Sequence, residues 1–370
     1  MSLFKKIFGK NTKQTEFQIN NNEDFWNWFM QNERKFHEIV KSGKNIEDLF
    51  FANLSKKLNE LKEGYFFLTG MYDQDTVELI ITADGNIKNI VYAEELINAA
   101  PIVDGWKFTA SKPANTRESF GINMNNYTFD TDNIKFFSII NEAFPDEINI
   151  TLIHNDYKIE DKEQIDLGCY IFIDNYLGEL NAVSIIDKMN IIGPNETTEE
   201  LISITKLKSY LIWREKEFVE KYESTKHSTE NDTFTVLEST TSNGNPFIAI
   251  INTDLLKWEE KASHQWFVCV NIKYDGTQNN GFPNNETIQL LNEFEDQLDN
   301  QLKFGGGNLN LGRESSEGIR TIFYACKDFR VPSKVLTELI KKHEDSLALS
   351  FEIYKDKYWS TLNYYMDHIN

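Results

Sequence analysis

Arg313 and Arg320 are the residues whose type and spacing point most directly to chemistry in this 370-residue sequence. A guanidinium presents a planar fork of donors that matches a carboxylate two bonds at a time. The two arginines flank one predicted hairpin, so both reach the same region, and Glu295 or Asp296 on the preceding predicted helix can meet them there. That arrangement has two uses: an ion pair that pins helix to hairpin, or a cationic fork offered to an acidic partner. A second pair of acids, Asp174 and Glu179, follows the apolar run Cys169-Tyr170-Ile171-Phe172-Ile173. If the run is a strand, both carboxylates lie at a strand end, where ligands often sit. The alternative has a carboxylate capping a helix that begins near Leu180.

The other reactive side chains fall in no working pattern. The six histidines, His37, His154, His227, His264, His343 and His368, lack His-Glu-x-x-His spacing, and His154-Asn155-Asp156 is the nearest to a chelating pair, so no metal is expected. Gly305-Gly306-Gly307 lacks the Lys-Ser/Thr of a phosphate loop and follows a helix rather than preceding one, which makes it a connector. There is no Gly-x-Ser-x-Gly elbow, and no cysteine stands beside a histidine. Cys169, Cys269 and Cys326 lie in apolar runs without framework spacing, as small buried hydrophobes do in a reducing compartment. No cofactor is expected. An active site assembled from residues distant in sequence stays open.

The elements that must position the arginines are legible. Trp266, Val268, Val270, Ile272 and Tyr274 alternate with period two, as on the core face of a strand. Asn284 or Asn285 caps a predicted helix with Ile288, Leu291, Phe294, Leu298 and Leu302 on one stripe. A hairpin follows, its second strand running from Ile319 to Cys326, then a helix opened by Pro332, then a strand with Leu347, Leu349, Phe351 and Ile353 on one side. Strand, helix, hairpin, helix, strand is a split βαβ order, which predicts a ferredoxin-like sandwich. A leading hairpin spans Phe234 to Leu237 and Phe247 to Ile251. Either it or the aromatic tail with Trp359 is expected to cover the second sheet face, burying Trp359.

Upstream, two amphipathic helices are predicted around Phe25 to Val40 and Ile46 to Leu61, then paired strands at Tyr65 to Tyr72 and Val77 to Ala83, and a helix over Tyr92 to Ala99. Strands are expected at Gly105 to Ala110, Ile122 to Phe129, Ile148 to Asn155 and Gly168 to Asp174, with a helix at Asn133 to Phe144. Thr197-Thr198-Glu199-Glu200 fits a capping box for a helix ending near Tyr222. The fold class is therefore α+β in two domains. The expected division is a basic arm over 1–22, a first domain over 23–222, a linker at 223–232 and a second domain over 233–370.

Phe294-Glu295-Asp296-Gln297-Leu298, Gly312-Arg313-Glu314-Ser315, Gly318-Ile319-Arg320, and Asp356 with Trp359 together resemble a bacterial domain of unknown function, the family numbered 695. The resemblance covers about residues 233 to 367. Where that family usually reads Arg-Glu-Phe-Tyr, this chain has Arg320-Thr321-Ile322-Phe323, so no role of that glutamate carries over. The family is similar in fold to the ribonuclease E regulator B group, whose members bind and restrain an enzyme, and the resemblance implies a fold and a class rather than an activity.

Composition narrows the partners. With 38 Lys plus Arg against 58 Asp plus Glu, the net charge is −20, which disfavours nucleic acid and anionic lipid and favours a basic protein. No apolar run is long enough to span a bilayer, and the start is read as lacking a secretory signal. Leu3, Phe4, Ile7 and Phe8 among Lys5, Lys6 and Lys10 offer at most a weak foothold on a membrane surface. The expectation is a cytoplasmic, non-enzymatic binding or regulatory protein working through protein contacts, its oligomeric state open. Two other readings stand beside it: an immunity-type protein neutralising a basic toxin, and an enzyme with a carboxylate site at Asp174 and Glu179.

Overall fold

The computed structural model describes residues 18–116, 120–303 and 307–366. The basic arm's Leu3, Phe4, Ile7 and Phe8, together with Gly305, Gly306 and His368, lie outside them. Helices and strands mix throughout, as an α+β reading requires. The described residues up to Thr82 form one compact unit with Ala93–Ala110, and Ala83–Tyr92 forms the other with the described residues from Ser111 on. The boundary expected at 223–232 falls inside the second unit.

In the first unit, α1 (Asn22–Ser42) begins where the Asn21 side chain accepts a hydrogen bond from the Asp24 amide, and acidic Glu23 and Asp24 suit that end of the helix dipole. A turn of π-helix at Glu47–Phe51 leads into α2 (Ala52–Leu61). The buried stripe of α1 carries Phe25, Trp26, Phe29 and Phe36. It packs on a sheet of β1 (Phe66–Met71), β2 (Val77–Thr82) and, beyond α3 (Ile87–Asn98), β3 (Trp106–Ala110). β2 and β3 run parallel, so a crossover must join them, and α3 is in that connection. Phe29 meets Trp106 edge-on at 4.9 Å, and Trp26 Nε1 donates to the Leu96 carbonyl at 2.7 Å.

The second unit opens with β4 (Gly121–Met124) and β5 (Tyr127–Asp130), where one strand was expected. Asn125 and Asn126 both have positive φ, the requirement of the two-residue turn that closes a hairpin. β6 (Ile134–Phe137) replaces the helix expected at Asn133 to Phe144. Its Ile134 and Phe136 are buried while Lys135 is exposed, a period of two that a helix cannot use. β7 (Asn149–His154) follows.

The strand expected at Gly168 to Asp174 is the middle of α4 (Lys162–Leu177). A helix with apolar residues on both its inner and outer faces loses the 3.6-residue rhythm, and a run of that kind reads as a buried strand. Gly168 is the contact point. A Cβ there would stand 2.0 Å from Phe129 Cζ, so only glycine lets α4 sit down on β5.

Next come α5 (Glu179–Ser184), β8 (Lys188–Ile192), β9 (Ile202–Ser203) and α6 (Leu207–Tyr222). The expected capping box starts no helix: α6 begins later, behind a 3₁₀ turn at Ile204–Lys206 whose cap, Ser203, accepts from the Thr205 amide at 3.4 Å. Strand order β8-β7-β6-β9 builds a four-stranded sheet, on which α4, α5 and α6 close a core around Phe136, Leu152, Phe172 and Leu211.

The rest of this unit is a six-stranded antiparallel sheet, ordered β10-β11-β13-β14-β12-β15. Its members are β10 (Phe234–Thr240), β11 (Pro246–Asn252), β12 (Trp266–Lys273), β13 (Asn308–Ser316), β14 (Ile319–Cys326) and β15 (Ala348–Lys355). Between them run α7 (Thr253–Leu256), α8 (Asn285–Lys303) and α9 (Arg330–His343), and α10 (Asn363–Met366) follows. Leu291, Phe294, Leu298, Leu336 and Leu339 from α8 and α9 pack on Val268, Val270, Ile322 and Phe351. The leading hairpin extends the sheet instead of folding over it, since β11 pairs with β13. The far face is covered by α7 and the tail: Leu255, Leu256, Trp359, Leu362 and Tyr365 enclose Phe267, Phe323 and Ala325. Trp359 is 1% exposed, with Nε1 donating to the His264 carbonyl at 3.0 Å.

Candidate functional site

The two arginines meet on the helix-covered face of this sheet because of one irregularity in β13. Leu309 and Leu311 both belong to the far face, and alternation would send residue 313 after them. The register slips between Asn310 and Gly312, so that Gly312 lies opposite Phe323 and Arg313 opposite Ile322. This β-bulge reverses the parity of everything beyond it and turns Arg313 and Ser315 toward α8. Arg320 lies opposite Ser315 and shares that face.

Glu295 on α8 receives them both. Arg320 Nη1 donates to Glu295 Oε1 at 2.7 Å, Arg313 Nη1 donates to Oε2, and Arg320 Nε donates to Ser315 Oγ at 3.1 Å. Glu295, Arg320 and Ser315 are each 8% exposed, whereas the Arg313 side chain keeps 36% of its surface in water. Asp296, the other acid expected here, is exposed one position further round the helix. A helical turn beyond Glu295, Asp299 accepts from Tyr324 Oη and from Asn310 Nδ2, the latter at 2.9 Å. Burial, with Asp299 beside it, pushes the Tyr324 phenol well above its ordinary pKa.

This is an interlock between helix and hairpin, with both guanidiniums occupied by one carboxylate. Removing the buried partner should cost more than removing the wet one. Arg320→Ala is expected to lose about 3 kcal/mol, because it strips Glu295 of its dry counter-charge. Arg313→Ala should lose about 1 kcal/mol after solvent screening. Urea unfolding midpoints of the two variants at one pH measure the difference.

Asp174 and Glu179 are brought close, but to different ends. Glu179 is fully buried at the start of α5, where Oε1 accepts from the Gly85 amide at 2.8 Å and Oε2 from the Lys112 amide at 3.0 Å. It ties two loops together as a backbone acceptor. Asp174, on α4 rather than at a strand end, accepts from Lys112 Nζ at 3.1 Å, and the same ammonium reaches Asp84 at 2.6 Å. Burial raises the Asp174 pKa, with Lys112 pulling the other way. His154 is held elsewhere. Its Nε2 meets the Thr128 carbonyl at 3.0 Å while Nδ1 accepts from the Asp156 amide at 3.2 Å, and the ring packs on Phe129.

Other reactive groups are quiet. Burial pushes the Cys169 thiol up to about 12 and pulls His264 down to about 3, so at neutral pH the first stays protonated and the second neutral. Among the described residues no three His, Cys, Asp or Glu side chains could hold a metal ion. No helix among them is long and apolar enough to cross a membrane.

One surface escaped the sequence reading because α4 was read as a strand. On the outside of α4, Leu167, Tyr170 and Ile171 form an i, i+3, i+4 stripe that is 53%, 50% and 36% exposed. Tyr170 also borders a cavity of about 520 Å³ lined by Phe137, Thr151, Met189, Asn190 and Ile191 of the four-stranded sheet, and by Lys162 and Asp166. Exposed Ile139 stands on the same wall. The available signal was the spacing of Leu167, Tyr170 and Ile171 itself, hidden by the apolar inner face between them.

Residues 237–367 match the model described as Family of unknown function (DUF695). That match takes in the bulge, both arginines and the covering tail. Comparison with curated proteins and with solved structures found no match.

Proposed function

We propose that this chain is a non-enzymatic binding or regulatory protein that works through protein–protein contacts, with the outer face of α4 and its adjoining groove as the docking surface. The observation that carries this reading is the exposed stripe Leu167, Tyr170 and Ile171 beside a groove lined by apolar and polar side chains in equal measure. Apolar side chains at helical spacing, rimmed by charge and left in water, are the usual form of a surface that receives a partner helix. The net charge of −20 selects a partner with basic flanks and works against nucleic acid. A cytoplasmic setting belongs to the same proposal.

The carboxy-terminal sheet enters the proposal as scaffold. Strand order β13-β14-β12-β15, with α8 and α9 on one face, supports reading Trp266 to Lys355 as a ferredoxin-like split βαβ sandwich. Its arginines are spent on Glu295, which favours the structural use of that cluster over display to a partner.

The test is differential capture from the native host. Proteins retained by the immobilised chain are quantified against the Leu167→Glu/Tyr170→Glu variant and against Arg313→Ala. Both glutamates replace exposed residues, so the double variant should melt within about 0.5 kcal/mol of the parent per site. A specific partner should fall by about tenfold or more on the double variant and persist on Arg313→Ala. Equal capture by all three chains, or no enriched protein on the parent, would overturn the reading.

A further inference from the structure

Glu314 is the acid that the interlock leaves out. It follows the bulge on β13, pairs in register with Thr321, and so faces away from α8 toward the tail. The buried carboxylates Glu295 and Glu179 are compensated, the first by two guanidiniums and the second by two amides, whereas Glu314 is half-buried. For Glu314 the hydrogen bond given by the described residues comes from the Tyr365 hydroxyl, a neutral donor. Burial pushes its pKa up, the Tyr365 hydroxyl pulls the other way, and among the described residues no lysine or arginine acts to lower it. A carboxylate partly withdrawn from water without a cation is still costly.

Beside this carboxylate is a cavity of about 350 Å³. Phe247, Phe323, Thr361, Tyr364 and Tyr365 line it. Phe323 and Tyr365 are buried in the far-face core, while Tyr364 is 58% exposed and stands at the solvent side. The volume falls in the range of small-molecule sites. Aromatic faces attract cations through their quadrupole, and the attraction strengthens as water is excluded. One uncompensated carboxylate among aromatic walls is a recognition chemistry for organic cations, and it rejects anions.

We propose that this cavity binds a primary ammonium group on a short alkyl chain, the ammonium paired with Glu314 and the chain laid against Phe247 and Phe323. The site lies on the carboxy-terminal sheet and stands independently of the docking surface on α4. Its ligand supplies the positive charge that the protein withholds. A free small amine and the lysine side chain of a polypeptide share this chemistry.

Calorimetric titration of the full chain with n-butylammonium, against n-butanol and n-butyrate, is the test. Butylammonium should bind saturably and about tenfold more tightly than butanol, with butyrate giving no heat. Glu314→Gln keeps an oxygen for the Tyr365 hydroxyl and removes only the charge, so it should fold and lose about tenfold in butylammonium affinity. Tyr364→Ala, at an exposed ring, should lose about threefold and covers the case in which Glu314→Gln misfolds. Titration with 1,4-diaminobutane and with N-acetyl-lysine methylamide then separates the sources, the tighter of the two marking a free amine or a side chain. Equal affinity for butanol and butylammonium, unchanged affinity in both variants, or no binding of any amine would overturn the proposal.

Discussion

Gly312→Ala is expected to lose about 5 kcal/mol of folding stability, among the largest losses a single substitution can bring. Gly312 has φ +122, a backbone region that side chains avoid, and holding any other residue there costs about 1–3 kcal/mol. The larger part is contact. A Cβ at this position would sit 2.2 Å from the Ile250 carbonyl oxygen and 2.8 Å from Ile251 Cα, both backbone atoms of the paired strand β11. Backbone in the middle of a sheet cannot step aside. The sheet therefore either gives up the β11–β13 pairing or straightens the bulge, and straightening turns Arg313 to the far face, away from Glu295. Urea unfolding gives the magnitude, and amide hydrogen exchange at Ile250 and Ile251 shows whether the loss lies in that strand pair. A midpoint within about 1 kcal/mol of the parent would mean that the bulge is not needed.

Asp187→Asn should cost about 3–5 kcal/mol at neutral pH. Asp187 is shared by two buried ammoniums: Lys355 Nζ lies 2.8 Å from Oδ1, and Lys357 Nζ lies 2.7 Å from Oδ2, which also accepts from the Ile148 amide at 2.7 Å. All three side chains are nearly dry. Burial opposes the charge on Asp187, but the two lysines outweigh it and hold its pKa below the usual carboxylate value. The lysines share one anion and repel each other, so burial wins at Lys355 and brings it down to about 8. Asparagine keeps the shape and the amide acceptor while removing the carboxylate that the two lysines share.

The pH dependence follows with definite signs. A carboxylate with a depressed folded pKa stabilises above its unfolded value, and that contribution is lost as pH falls through the depressed value. Parent and variant should therefore converge in acid. With rising pH the variant should recover part of its deficit, because Lys355 sheds its proton more readily once its anion is gone. Unfolding midpoints from pH 3 to 10 measure both limbs, and a constant gap across that range would sink the assignment.

Much of the carboxy-terminal sheet is legible in the chain. Trp266, Val268, Val270 and Ile272 face one core because strand side chains alternate, and Leu291, Phe294, Leu298 and Leu302 face it because helical ones recur every three or four residues. Glu295 with Arg313 and Arg320 could be paired on charge alone. Where a segment is apolar on every side, as α4 is from Gly168 to Ile173, periodicity carries no information and the element type is lost with it.

Composition also bounds what the protein meets: a surplus of twenty acids sets the sign of its field whatever the fold. Tertiary structure alone decided where the individual charges went. One extra residue at the bulge chose which face Arg313 would take, and Asp187 found its lysines 168 and 170 positions away along the chain. Glu314 and Glu295 are the same side chain at two sites, and only their neighbours in space make one an interlock and the other an uncompensated charge beside a cavity. The physical reason is that a side chain's intrinsic preferences are local, whereas its desolvation and its counter-charge come from whatever the fold sets against it.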